Sequence, residues 1–364
     1  MVDLLLPGRT QELRITALTD GAGRAVSALS IQRSVFALAG APDRSPFVAS
    51  AAAFGPPAAV FLDLPLLRGD EPPTAPRFAA AQTPWPGAVA VYRATDGIAY
   101  TLNTTAPLQA TLGVTVAVLA AGPVNRWDRA NTLVVQLNSG TLGTQSPTGV
   151  LAGANVAAVE TSPGVFEVIQ FVSADLIGPQ TYRLSSLLRG QAGTEAAMAA
   201  SLPPGANFVL LDGAVSLLDE TADQLGLAQQ WRYGPANRPI GNQAYRTDTR
   251  TFRGIGRRPL SPSHVRGLRG PGGDLAISWK RRTRIGGDSW DQREVPLAED
   301  IEAYEVDVVS GGAVLRTLSA NAPAAAYTAA QQVADFGATQ AAISLNVIQI
   351  SQSFGRGTAR AATV

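Results

Sequence analysis

Apolar β-formers alternate with small or polar residues through GVLAGANVAAVETSPGVFEVIQFVSADLIGPQTYRLSSLLRGQAGTE, residues 149–195, and Gly and Pro interrupt the alternation at short intervals. Period two is the pattern of a strand with two unlike faces, and the breakers set turns between strands. The same reading predicts strands over residues 88–93, 113–119, 132–138, 154–160, 166–174, 180–184 and 207–211. Turn residues fall between most of them, as at Thr95-Asp96-Gly97, Asn138-Ser139-Gly140 and Ser162-Pro163-Gly164. Further upstream, residues 14–18 and 25–32 read as two strands across Asp20-Gly21-Ala22-Gly23, with Leu13, Ile15, Ala17, Val26 and Ala28 in period two. Residues 41–86 are Pro-rich, but Val60-Phe61-Leu62-Asp63-Leu64 reads as an embedded strand. Only residues 195–202 and 219–227 read as helices, both short. Asp219 and Glu220 sit near the start of the second, where carboxylates suit the helix dipole.

Residues 254–273, GIGRRPLSPSHVRGLRGPGG, lose all periodicity and read as a linker. Beyond them the alternation returns. Leu275, Ile277 and Trp279 share one face, so Trp279 is expected in a core. Tyr304, Val306 and Val308 share another face, with Ser310-Gly311-Gly312 as a hairpin turn, and Ile343, Leu345 and Val347 line a last long strand. The expected fold class is therefore mainly β, with several antiparallel sandwich or barrel domains. The expected divisions are residues 1–86 (the end of a β domain plus a Pro-rich connection), 87–253 (a central β-rich domain), 254–273 (linker) and 274–364 (a sandwich). An early core Trp, a Tyr-containing middle strand and a final alternating strand ending in Gly355-Arg356-Gly357 resemble a fibronectin type III domain.

Composition narrows the chemistry. The apolar fraction of 46% supports a buried core, and a charged fraction of 16% with 36 Gly and 25 Pro favours short strands and turns. With 29 basic and 28 acidic residues, the net charge of +1 gives no general attraction to nucleic acid or anionic membrane. The absence of cysteine excludes disulfides, cysteine-based zinc sites and cysteine nucleophiles. His264 is the single histidine, and it stands in SPSHVRG without a visible partner for metal or triad chemistry. No window approaches the ~20 apolar residues of a membrane span, and MVDLLLPGRTQELR lacks the pattern of a secretory signal.

Several constellations invite a functional reading. Asp63, Asp128, Glu160, Glu167, Asp175, Glu195, Glu299 and Asp300 are the carboxylates a glycosidase would draw on. Such an enzyme needs two of them about 5–10 Å apart at an open cleft, and no β/α alternation builds a barrel to hold them there. The loop from Arg189 to Glu195 is Gly-rich but lacks the Gly-Lys-Ser/Thr ending of a phosphate loop. Its expected role is structural: Gly190 and Gly193 take positive φ, Arg189 bridges carbonyls or a carboxylate, and Thr194 caps the following turn. Trp127, flanked by Arg126 and Asp128, forms a candidate contact patch or a plug at one end of a sandwich. Trp290, projected by Gly286-Gly287-Asp288-Ser289, is a candidate grip for a sugar or a partner subunit, or packs back onto its own domain. Arg282 and Arg284 lie on one face of the densest basic run, WKRRTR, as solvated or inter-domain groups. No residue is expected to be catalytic, to ligate a metal or to bind a cofactor.

Three segments resemble the tail-tip baseplate hub proteins of phages and gene transfer agents, also called host-specificity or baseplate multidomain proteins. They are RITALTDGAGRAVSALSIQ, then AGANVAAVE and FEVIQF leading into LLRGQAGTE, and SWKRRTRIGGDSW followed by VPLAEDIEAYEVDV. The family proteins are much longer, and this chain looks like their C-terminal part, without the glycosidase-like barrel. The resemblance implies a non-enzymatic component of the tail tip. Such a component assembles with copies of itself as a trimer and with neighbouring tail proteins, closes the tube and touches the host envelope before DNA ejection. It would be assembled in the bacterial cytoplasm and released by lysis. The alternative is a carbohydrate-binding or adhesin module that recognises host surface glycans.

Overall fold

In this computed structural model, the described residues are 2–32, 54–287 and 294–364, and they divide into one unit ending at Ala53 and another beginning at Phe54. In the first unit, Val2–Leu6, Arg9–Asp20 and Arg24–Ser30 form an antiparallel meander. The turn falls where the glycines place it, with Asp20 paired to Arg24. None of the described side chains in this unit is buried, and Leu18, Val26 and Leu29 are each more than half exposed.

In the second unit, one sheet sets up everything else. Ala58–Leu62, Arg77–Ala81 and Ser216–Leu217 pair antiparallel, and their alternate residues feed two different cores. Phe61, Phe78 and Ala80 point toward a four-stranded sheet of Thr101–Ala106, Val89–Ala94, Gln229–Pro235 and Arg246–Arg250. There they meet Val89, Val91, Trp231, Tyr233 and Phe252. Leu62, Ala79 and Ala81 point the other way, onto Leu112, Ala158, Phe166, Val168 and Val209. Strands buried on both faces carry unbroken apolar runs, which explains RFAAA at residues 77–81.

The second of these cores is the outer wall of a closed barrel. Among the described residues, six strands close in the order Leu133–Leu137, Leu112–Thr115, Asn207–Leu210, Val156–Ser162, Val165–Gly178 and Thr181–Gln191, the last pairing back with the first. All pairings are antiparallel, and closure leaves the ring without an open edge. Leu133, Val135, Val159, Ile169, Phe171, Leu184 and Phe208 fill the interior. At Gly113 a Cβ would come within 2.4 Å of the Gln136 carbonyl oxygen, so that strand approach requires glycine. The barrel is inserted into the two-sheet package. The chain leaves it after Ala106, completes the barrel, and returns at Ser216 to pair with Arg77–Ala81 and then with Val89–Ala94. Residues on either side of the expected 86/87 division, such as Phe78 and Val89, therefore share one core, because sequence-distant strands complete the same sheets.

The C-terminal part is an antiparallel β-sandwich. One sheet holds Ser263–Arg269, Leu275–Lys280 and Ala324–Tyr327. The other is built on Ala313–Ala320, Tyr304–Ser310 and Ser344–Ser351, with Arg360–Thr363 paired to the last of these. Two sheets of this strand order make a fibronectin type III-like sandwich. Trp279, Tyr304, Val306, Val308, Leu345 and Val347 are buried in its core, as their alternation requires. Thr328 and Gln331 make a reciprocal capping box at the helix Ala329–Phe336, which ends at Gly337 with φ 80°.

Three expectations change, and one strand was not foreseen. Residues 254–273 do not form an unstructured linker: Ser263–Arg269 is the first sandwich strand, with a register shift near His264 that masks its periodicity. Residues 219–227 are not helical, because Glu220 is drawn inward to Arg93 and Gln229. Residues 195–202 shorten to the single turn Glu195–Ala197, followed by the strand Ser201–Leu202. The strand Arg246–Arg250, RTDTR, was illegible because it is entirely polar. No helix among the described residues is long and apolar enough to cross a membrane.

Candidate functional site

The barrel interior carries one charged cluster. Glu167 lies on the strand line Glu167, Ile169, Phe171, which faces the core, so a carboxylate stands in an apolar stripe. Arg189 meets it from the neighbouring strand. Its Nε and Nη2 donate to the two Glu167 oxygens at 2.7 and 2.8 Å, and its Nη1 donates to the Ala120 carbonyl at 3.0 Å. The Gly190 amide adds a third donor to Glu167 at 3.0 Å. Asp128 approaches Arg189 Nη1 at 3.6 Å and accepts from the amides of Ala130 and Asn131 and from Asn131 Nδ2. Arg189, Glu167 and Asp128 are all at most 1% exposed. A planar fork locked onto a carboxylate in this way holds three chain segments in one geometry.

Two glycines permit the cluster. At Gly122 a Cβ would lie 2.1 Å from Asp128 Oδ2 and 3.2 Å from Arg189 Nη1. At Gly190, with φ 60°, it would lie 2.8 Å from the Glu195 Cα. Thr194 does not cap the following turn. Its hydroxyl donates to the Gln191 carbonyl at 2.7 Å and accepts from the Val168 amide at 2.9 Å, tying the loop to the barrel wall.

At the end of this loop, Glu195 reaches the sandwich. It accepts from the Ser261 hydroxyl at 2.6 Å and from Arg282, which also contacts Ser261 at 3.2 Å. Burial by itself would push the Glu195 carboxyl up. The Ser261 hydroxyl and the Arg282 charge outweigh it, so the group sits below its ordinary value. Arg284 donates to Glu299 at 3.1 Å and to the Ala298 carbonyl at 2.9 Å. Asp63 accepts the amides of Arg253, Gly254 and Ile255 at 2.6, 3.1 and 2.8 Å, fixing the start of the same connection.

The structure thus separates the residues singled out in the sequence. Asp128 is sealed beneath the surface, Trp127 beside it is half-buried on a two-residue strand against Leu188, and Arg126 is exposed. Arg282 and Arg284 hold carboxylates of their own chain. Trp290 lies outside the described residues. In the sequence Glu167 is one of several scattered acids. The signal for its role was a lone charge on the inward line of an apolar strand, paralleled by a lone Arg in LLRGQ. The Asp128–Arg189–Glu167 cluster is closed to solvent. Among the described residues no group of three or more His, Cys, Asp and Glu side chains is placed to hold a metal ion. His264 is exposed.

Residues 110–209 match a family described as Rcc01698-like, C-terminal, a name associated with gene transfer agents. The matched interval coincides with the barrel, from Leu112 to within a residue of its last strand end. No curated protein matches the chain. Solved structures with some likeness include domains d3–d4 of the rat CD45 extracellular region, at 11% identity and a TM-score of 0.22, covering 33% of this chain and 54% of that one. Chicken CNTN1 FN1–FN3 shows 8% identity and a TM-score of 0.22 over 85% of this chain and 98% of that one. A segment of titin shows 10% identity and a TM-score of 0.22 over 86% and 99%.

Proposed function

We propose that this chain is a structural component of a gene-transfer-agent tail-tip baseplate hub, without catalytic activity. In this reading it closes the tail tube, contacts the host envelope before DNA delivery, and is assembled with copies of itself in the bacterial cytoplasm before release by lysis. The observation that carries the reading is the coincidence of the gene-transfer-agent-associated family match with one closed barrel. Two features support it. The charges inside the barrel are spent on each other, as suits a scaffold better than a reaction centre. The N-terminal meander exposes Leu18, Val26 and Leu29, apolar groups that a neighbouring subunit in an assembly would cover. Trp127 and Arg282, which a glycan-binding module would present, are respectively half-buried and paired internally. Imaging of purified particles with a C-terminal tag on this chain tests the proposal. Label at the tail tip is the expected result; label on the head or tail shaft, or its absence from particles, overturns it.

A further inference from the structure

A cavity of about 490 Å³ opens where the barrel, the package behind it and the connection to the sandwich meet. That volume lies in the range of small-ligand sites, about 300–1,000 Å³. Its lining includes two carboxylates and three guanidiniums, and their partners decide its character. Asp63 already accepts three backbone amides. Glu160 accepts the Gly164 amide at 2.8 Å and Asn207 Nδ2 at 2.5 Å. Arg250 donates to Asp248 at 3.1 Å and lies over the Phe61 ring at 5.3 Å, and Arg253 lies over the Phe354 ring at 5.9 Å.

Arg258 differs. Its guanidinium makes no hydrogen bond to any described residue, although Asp63 and Glu195 act on it through space. Burial, and then the positive charge of Arg253, pull it below its ordinary value. A half-buried fork of five donors without an acceptor is satisfied by an incoming planar oxyanion. Around it the wall is mixed. Val165 and Ile255 supply apolar surface, while Thr249 and Thr251 are exposed with hydroxyls that make no hydrogen bond among the described residues.

We propose that this cavity binds a sugar acid, with its carboxylate on Arg258, its ring against Val165 and Ile255, and its hydroxyls toward Thr249 and Thr251. A bare phosphate would satisfy Arg258 but leave the apolar wall and both threonines unused. The site is separate from the Trp127 region and from the hub assignment, which stands or falls on particle imaging.

Calorimetric titration of the full chain with glucuronate, glucose and inorganic phosphate tests the proposal. Saturable glucuronate binding is expected, with glucose and phosphate each weaker by about tenfold or more because each lacks half of the recognised features. Arg258→Gln, checked for folding by circular dichroism, is expected to abolish glucuronate binding. Should that variant not fold, Thr251→Ala at an exposed position is expected to weaken glucuronate but not phosphate. Absence of saturable glucuronate binding, phosphate binding as tight as glucuronate, or variants indistinguishable from the parent would overturn the proposal.

Discussion

The barrel and the C-terminal sandwich are both antiparallel β structures of about a hundred residues, yet they hold themselves together differently. The sandwich relies on an apolar interior: Trp279 against Tyr304 at 5.1 Å between ring centroids, with Val306, Leu345 and Val347 around them. Its charged pairs include Arg316 with Asp335, whose side chains are 32% and 10% exposed, and Arg356 with Asp307, at 50% and 5%. The barrel closes on itself and buries an ion cluster beside its apolar filling. A buried ion pair is poor as a source of net stability but costly to break, because the survivor is left as an uncompensated charge. The barrel is thereby more specified than the sandwich: one arrangement of three segments satisfies Arg189, whereas apolar cores tolerate repacking.

Breaking the cluster is expected to have the largest effect. Arg189→Ala leaves Glu167 and Asp128 buried without their cation, and a loss of about 3–5 kcal/mol is expected. Hydrogen exchange read by mass spectrometry should show the loss in residues 110–209 first. Protection in the barrel equal to that of the parent would remove the distinction between the two regions. The triple replacement Arg189→Met, Glu167→Leu and Asp128→Asn sharpens the comparison: it is expected to restore part of that stability, which a merely dispensable cluster would not have lost. The matching change in the sandwich is Ile277→Ala, at 1% exposure, with an expected loss of about 2–4 kcal/mol in chemical denaturation. It should leave barrel exchange unaltered if the two cores are independent. Thr328→Ala removes the capping box of the sandwich helix and is expected to lower stability by about 1 kcal/mol, again read in denaturation.

The smallest effect belongs to the joint between the two regions. Glu195→Gln weakens a partly exposed pair and is expected to cost less than about 1 kcal/mol. Its signature is pH dependence. The Glu195 carboxyl is held below its ordinary value of 4.5, so its contribution is complete above that pH. It is lost as pH falls through the lower folded value. Proteolysis of the connection at residues 253–262 should therefore rise on acidification below pH 4.5 in the parent and depend less on pH in Glu195→Gln. Parallel curves for the two proteins would exclude Glu195 as the titrating group.

Much of this architecture was legible from alternation. The strands around residues 133–137, 156–162, 165–178 and 207–210 fall where the apolar period puts them, and Trp279 is buried as its neighbours Leu275 and Ile277 require. The positive-φ turns at Gly190 and Gly193 were legible because only glycine adopts that backbone cheaply. Polar strands were not. RTDTR at residues 246–250 and SHVRGLR at 263–269 are strands because a neighbouring strand supplies hydrogen bonds, and no local preference announces that.

The sequence by itself determined the class of structure, the inward and outward faces of the apolar strands, and the chemistry excluded by the absence of cysteine and the single histidine. Only the tertiary structure decided that residues 58–106 and 216–250 complete one package around an inserted barrel, and that Arg189 chooses Glu167. It also left Arg258 facing a cavity with no hydrogen-bonded acceptor among the described residues. The reason is range. Period, turn preference and composition act over a few residues. Strand closure and ion pairing join groups dozens of positions apart, and their energies exist only once the chain has brought those groups together.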